Sequence, residues 1–272
     1  MVVSSFHSWI NENSVELTKD QVEFLDSFTS RSWEVNTETG LVDIYGNFDC
    51  SGQDIVDFKG VRFGDVKGDF MCNESQITSL EGSPRNVDGH FDCEFNQLTS
   101  LNGAPDRIGG HFWCSNNLLK DLKGSPKIVE GDFYCGSNKL TTLEGAPESI
   151  GKHFNCRNNL LTSLKGAPKI IGGDFFCEKN LLTSLEGAPK IIGTLIKIMG
   201  GFHCEKNPVS PDTLKSIYSI MVNGDSYPDA LSKYWNNMPE SDKELMYKDN
   251  PELSDYEKRG YELANKTRKI II

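Results

Sequence analysis

Residues 172–189 read GGDFFCEKNLLTSLEGAP, and the fold follows from the way this phrase recurs. One period earlier the chain reads GKHFNCRNNLLTSLKGAP, residues 151–168, and before that GDFYCGSNKLTTLEGAP, residues 131–147. Cysteine marks the beat: Cys50, Cys72, Cys93, Cys114, Cys135, Cys156, Cys177 and Cys204 lie 22, then five times 21, then 27 residues apart. A phenylalanine stands two residues before each, from Phe48 and Phe70 to Phe175 and Phe202. Self-similarity at a fixed period of roughly 20–50 residues is the signature of a solenoid.

Within one period Ile171, Gly173, Phe175 and Cys177 alternate with Gly172, Asp174 and Phe176. A period of two places one set on each face of a strand, so the repeating set is expected inside. Three residues past the cysteine comes Asn96, Asn117, Asn138, Asn159, Asn180 or Asn207, with Gln53 and Ser75 in the first two periods. An amide at a fixed turn position can satisfy backbone groups of neighbouring coils. Paired leucines such as Leu98 and Leu101 or Leu182 and Leu185 supply a second apolar wall, and Gly-Ala-Pro or Gly-Ser-Pro then breaks any helix. The expectation is an α/β solenoid of about eight coils, each with one short parallel strand and a non-helical return arm.

These motifs resemble the leucine-rich repeat, with Phe and Cys in place of two strand leucines and the Asn in register. GGDFFCEKNLLTSLEGAP is more closely similar to the repeat of leucine-rich-repeat-like proteins encoded by large tailed bacteriophages, and the short arm to that of secreted bacterial effectors. The resemblance covers roughly residues 42–209. It implies an architecture and, by context, a host protein as partner, with inhibition or diversion of a host process such as antiviral defence as outcome.

The 272-residue chain carries a net charge of -11, and its first 45 residues hold eight acids against two bases. Phosphate-backbone binding draws on clustered Lys and Arg, so direct nucleic-acid binding is not expected. No apolar run approaches the ~18 residues of a membrane span, and the start MVVSSFHSWINENS has no basic region before an apolar core. Cytoplasmic location is the expectation, with the cysteines as small reduced core residues. In-register side chains on parallel strands point the same way rather than at one another, which disfavours disulfides, and no C-x-x-C suggests zinc.

The ends differ from the repeats. Thr18 and Gln21 read as a capping box, followed by Val22, Leu25 and Phe28 at helical spacing. SWEVNTETGLVDIYG, residues 32–46, reads as a hairpin. Residues 1–45 are thus an expected N-terminal cap, 46–209 the solenoid, and 210–272 a helical C-terminal cap or module opening at Ser210 and Pro211. Before the last cysteine six extra residues, TLIKIM (194–199), interrupt the period. They read as a joint to the cap, or as an apolar contact loop of Leu195, Ile196, Ile198 and Met199; this loop and the C-terminal helices are the candidate surfaces for homo-oligomers.

No G-x-S-x-G, Walker loop, H-E-x-x-H or EF-hand loop occurs, so catalysis is not expected. The strand positions left over by the alternation are where the repeats stop agreeing. They pair Asp69 with Met71, His90 with Asp92, His111 with Trp113, Asp132 with Tyr134, His153 with Asn155, and Asp174 with Phe176. With Arg157 and His203 this face is the candidate partner-binding surface, Trp113, Tyr134 and Phe176 being expected as exposed aromatics. Neighbouring imidazoles lack a fixed third ligand, so neither metal nor other cofactor is expected. A virion-associated or adhesion protein and a nucleotide-binding sponge are the alternative functions for such a face.

Overall fold

A computed structural model describes residues 16–189, 191–192, 202–204 and 206–208. Helix α1 (Lys19–Phe28) opens on the expected capping box, with the Thr18 side chain accepting from the Gln21 N–H and the Gln21 side chain from the Thr18 N–H. It buries Phe24 and Leu25, and the Phe24 and Phe28 rings lie 5.5 and 6.1 Å from Phe48 of the first turn. Strands β1 (Trp33–Val35) and β2 (Val42–Ile44) form the expected antiparallel hairpin.

The rest is a parallel β-solenoid of ~21-residue turns, about six of them regular. Each regular turn holds two short strands in place of one. The face sheet contains β3 (Phe48–Asp49), β5 (Phe70–Met71), β7 (Phe91–Asp92), β9 (Phe112–Trp113), β11 (Phe133–Tyr134), β13 (Phe154–Asn155), β15 (Phe175–Phe176) and β17 (Phe202–His203). The back sheet contains β1, β2, β4 (Phe63–Val66), β6 (Asn86–Val87), β8 (Arg107–Ile108), β10 (Ile128–Val129), β12 (Ser149–Ile150), β14 (Ile170–Ile171) and β16 (Ile191–Ile192). Successive turns pair in register, Phe133 with Phe112 and Phe154, so one column of the sequence becomes one column of the sheet.

The expected α/β class with a single strand per coil is therefore corrected to a β-solenoid with two. The alternation Ile-x-Gly-x-Phe suggested one continuous strand, but the chain turns a corner at the glycines and enters a different sheet. Those corners stack backbone on backbone: a Cβ at Gly131 would fall 2.5 Å from the Gly110 carbonyl oxygen. A glycine in a strand pattern often marks such a close approach. The expected helices of residues 210–272 and the loop residues Leu195, Ile196, Ile198 and Met199 lie outside the described residues, as do residues 1–15. Among the described residues no helix is long and apolar enough to cross a membrane.

The interior is built from columns. Phe48 through Phe175 are fully buried and touch ring to ring turn after turn, some stacked, as Phe70 on Phe91 at 5.3 Å and 6°, and others edge-on, as Phe133 on Phe154 at 5.5 Å and 65°. Cys50 through Cys177 form a second buried column, and burial pushes the Cys50 thiol up to about 12. Thiols so displaced stay protonated and inert at neutral pH. Leucine pairs of the return arm and Val87, Ile108, Val129, Ile150 and Ile171 of the back sheet complete the core.

The asparagine column ties the turns together. Asn138 accepts from the Leu119 N–H at 3.0 Å and donates through Nδ2 to the carbonyls of Cys114 and Cys135 at 3.0 and 3.2 Å. Asn96, Asn117, Asn159 and Asn180 make the same donations to their own and the preceding turn. Each spans two turns because one amide offers both donors and an acceptor.

Candidate recognition face

Outward positions of the face sheet form two columns, one just before each buried phenylalanine and one just after. The first column is a second hydrogen-bonding ladder. The Asn47 side chain accepts from Asp69 N–H at 3.0 Å, Asp69 from His90 at 2.7 Å, and His90 Nδ1 from His111 at 2.9 Å. His111 Nδ1 then accepts from Asp132 at 2.9 Å, Asp132 from His153 at 3.0 Å, and His153 Nδ1 from Asp174 at 2.8 Å. The same nitrogens of His111 and His153 also lie 3.0 and 3.2 Å from a carboxylate oxygen of Asp132 and Asp174, so each imidazole is held against the rung above it by both backbone and side chain. Burial lowers the His111 pKa, and His90, Lys152 and His153 lower it further, while Asp132 opposes them.

The second column runs Asp49, Met71, Asp92, Trp113, Tyr134, Asn155, Phe176 and His203 in adjacent registers. The aromatics here are half-buried, whereas exposed rings were expected. The imidazoles cover them: His111 stacks on Trp113 at 5.3 Å and 16°, His90 stacks on His111 at 4.5 Å and 15°, and His203 stacks on Phe176 at 4.6 Å and 10°. Burial raises the Tyr134 pKa, helped by the charge of Asp132 and a hydrogen bond to it.

The structure thus brings Met71, His90, His111, Trp113, Asp132, Tyr134, His153, Asp174, Phe176 and His203 onto one sheet, with exposed Arg157 just past β13. No family model matches this chain, and no curated protein matches it. What the face can do is therefore read from its own chemistry.

One acid of the second column sits among others. Asp92 in β7 is only 7% exposed, and its carboxylate accepts from the Glu94 N–H at 2.9 Å. Burial pushes the Asp92 carboxyl up to about 6; the Glu94 N–H opposes this, and the charges of Glu94, Glu74 and Asp49 add to it. These acids are scattered over 46 residues of sequence, and only the register of the columns gathers them. Among the described residues no group of three or more His, Cys, Asp or Glu is arranged to hold a metal ion.

Proposed function

We propose that the chain is a non-enzymatic recognition module that binds a partner protein through the outward columns of the face sheet. The observation that carries this is the contrast between columns. Inward positions repeat the same residue turn after turn, while the column Asp49, Met71, Asp92, Trp113, Tyr134, Asn155 and Phe176 never repeats one between adjacent turns. A sheet position that packs only on its neighbours tolerates many residues, so its identity is free to follow a partner. Half-buried Trp113 and Tyr134 are the residue types that anchor hot spots.

This reading takes the solenoid as a leucine-rich-repeat-like array of about eight coils between an N-terminal cap (1–45) and a C-terminal helical cap or module (210–272). It acts in the cytoplasm. The resemblance of GGDFFCEKNLLTSLEGAP to phage-encoded repeats makes a host-cell protein the first partner to seek, and blocking or diverting a host process such as antiviral defence the outcome. Affinity capture from host lysate tests it. The combined Trp113→Ala and Tyr134→Ala variant loses the partner; unchanged capture removes this face from the account.

A further inference from the structure

The two sheets treat charge differently. On the back sheet, acids and bases of neighbouring turns are matched: Lys127 lies 2.7 Å from Asp106, Lys169 2.6 Å from Glu148, and Arg107 reaches both Asp88 and Glu130. On the face sheet Asp49, Asp92 and Glu94 have no Lys or Arg within ion-pair distance among the described residues. The nearby imidazoles are engaged elsewhere, His90 Nδ1 by the His111 N–H and His111 Nδ1 by the N–H and carboxylate of Asp132.

The fold needs an acceptor at position 92, and nothing requires that acceptor to be charged. Two turns after Trp113 in the same column, Asn155 Oδ1 takes the Arg157 N–H at 3.1 Å, the turn that Asp92 closes with Glu94 at 2.9 Å. A neutral amide therefore does the structural work. The Asp92 charge is held at a cost, since burial and three acidic neighbours push its carboxyl up to about 6. Groups kept in a disfavoured charge state concentrate at functional sites. Next in register is Trp113, an indole backed by His111 and His90.

We propose that this end of the face takes a basic, arginine-bearing segment of the partner protein, with a guanidinium laid against Trp113 and paired to Asp92 and Glu94. The proposal rests on the recognition reading above and adds the chemistry of the partner. Arginine fits better than lysine because a planar guanidinium stacks on an indole while its edge donors reach carboxylates. Such an ion supplies the counter-charge that the fold leaves out.

The test is titration calorimetry of the full chain at low salt with short oligo-arginine, oligo-lysine and oligo-glutamate peptides. Oligo-arginine binds most tightly. Trp113→Leu, and separately the pair Asp92→Asn with Glu94→Gln, each weaken it about tenfold or more. Removing equal charge from the back sheet, with Glu130→Gln and Glu148→Gln, leaves affinity unchanged. Melting curves accompany each variant, and Asp92→Asn retains the acceptor that Asn155 shows to be sufficient. No binding of oligo-arginine, or binding equal in the face and back variants, overturns the proposal. A lysate partner lost with Trp113→Ala and Tyr134→Ala but kept by Asp92→Asn with Glu94→Gln also overturns it, while the recognition reading stands.

Discussion

Two hydrogen-bonding ladders climb this solenoid, and they obey different rules. The interior ladder is asparagine from turn to turn between Asn96 and Asn180, because each site needs an acceptor for one N–H and donors for two or three carbonyls, all out of water. The face ladder is Asn47, Asp69, His90, His111, Asp132 and His153, because each site needs only one acceptor at a half-exposed position. The number of bonds and the access of water decide how far a residue type is fixed. Where the fold asks for one lone pair, three chemistries serve equally, and the choice among them is left to function.

Substituting one rung of each ladder puts the two rules against each other. Asn138→Ala strands the Leu119 N–H and the Cys114 and Cys135 carbonyls in the core, and is expected to cost about 3–4 kcal/mol. His111→Asn keeps an acceptor for the Asp132 N–H but loses the ring stacks on Trp113 and His90, and is expected to cost about 1–2 kcal/mol at neutral pH. Urea denaturation of both variants reads the difference. Equal losses would mean that the face ladder depends on its particular residues as strongly as the core does.

Acid acts on the face in two opposite directions. The His111 pKa is depressed in the folded chain, so near and below the ordinary value of about 6.5 the unfolded chain holds more protons. Its contribution is present above that value and is lost as pH falls through the folded pKa, when Nδ1 must take a proton and give up the Asp132 N–H. Asp92 runs the other way: its raised pKa means stability grows as pH falls from about 6 towards the ordinary carboxylate value. His111→Asn therefore flattens the acid-side loss in a stability–pH profile, and Asp92→Asn removes the opposing gain. Superimposable profiles for wild type and both variants would contradict these assignments.

Much of this was legible in the sequence. The 21-residue spacing of Phe and Cys yields the solenoid, the buried columns and the cross-turn amide, and Thr18 with Gln21 yields the start of α1. The corner was not legible, because Ile171, Gly173, Phe175 and Cys177 keep a period of two straight through it. Only the backbone clearance at the glycines separates β14 from β15. The face was half legible: its membership follows from alternation, but the burial of Trp113 and Phe176 under imidazoles from other registers needs the stacked geometry. Asp92 and Glu94 became interesting only through what surrounds them, a property no local pattern carries.

A weaker effect is expected at the residue just before the amide ladder. Phe95 has φ 53°, the left-handed region, and the equivalent residues of the following turns, Asn116 and Ser137, share it at 57° and 53°. Such backbone is costly for side chains that cannot bond locally, and asparagine tolerates it. Phe95 is 53% exposed, so its ring recovers little by burial. Phe95→Asn copies the residue found one turn later and is expected to stabilise the chain by about 0.5–1 kcal/mol, a rise of a few degrees in melting temperature. A fall instead would show that the ring packs enough to outweigh its backbone. If the variant is more stable yet binds the partner less well, Phe95 extends the recognition face beyond Glu94, and an aromatic in a strained turn is there for contact rather than for the fold.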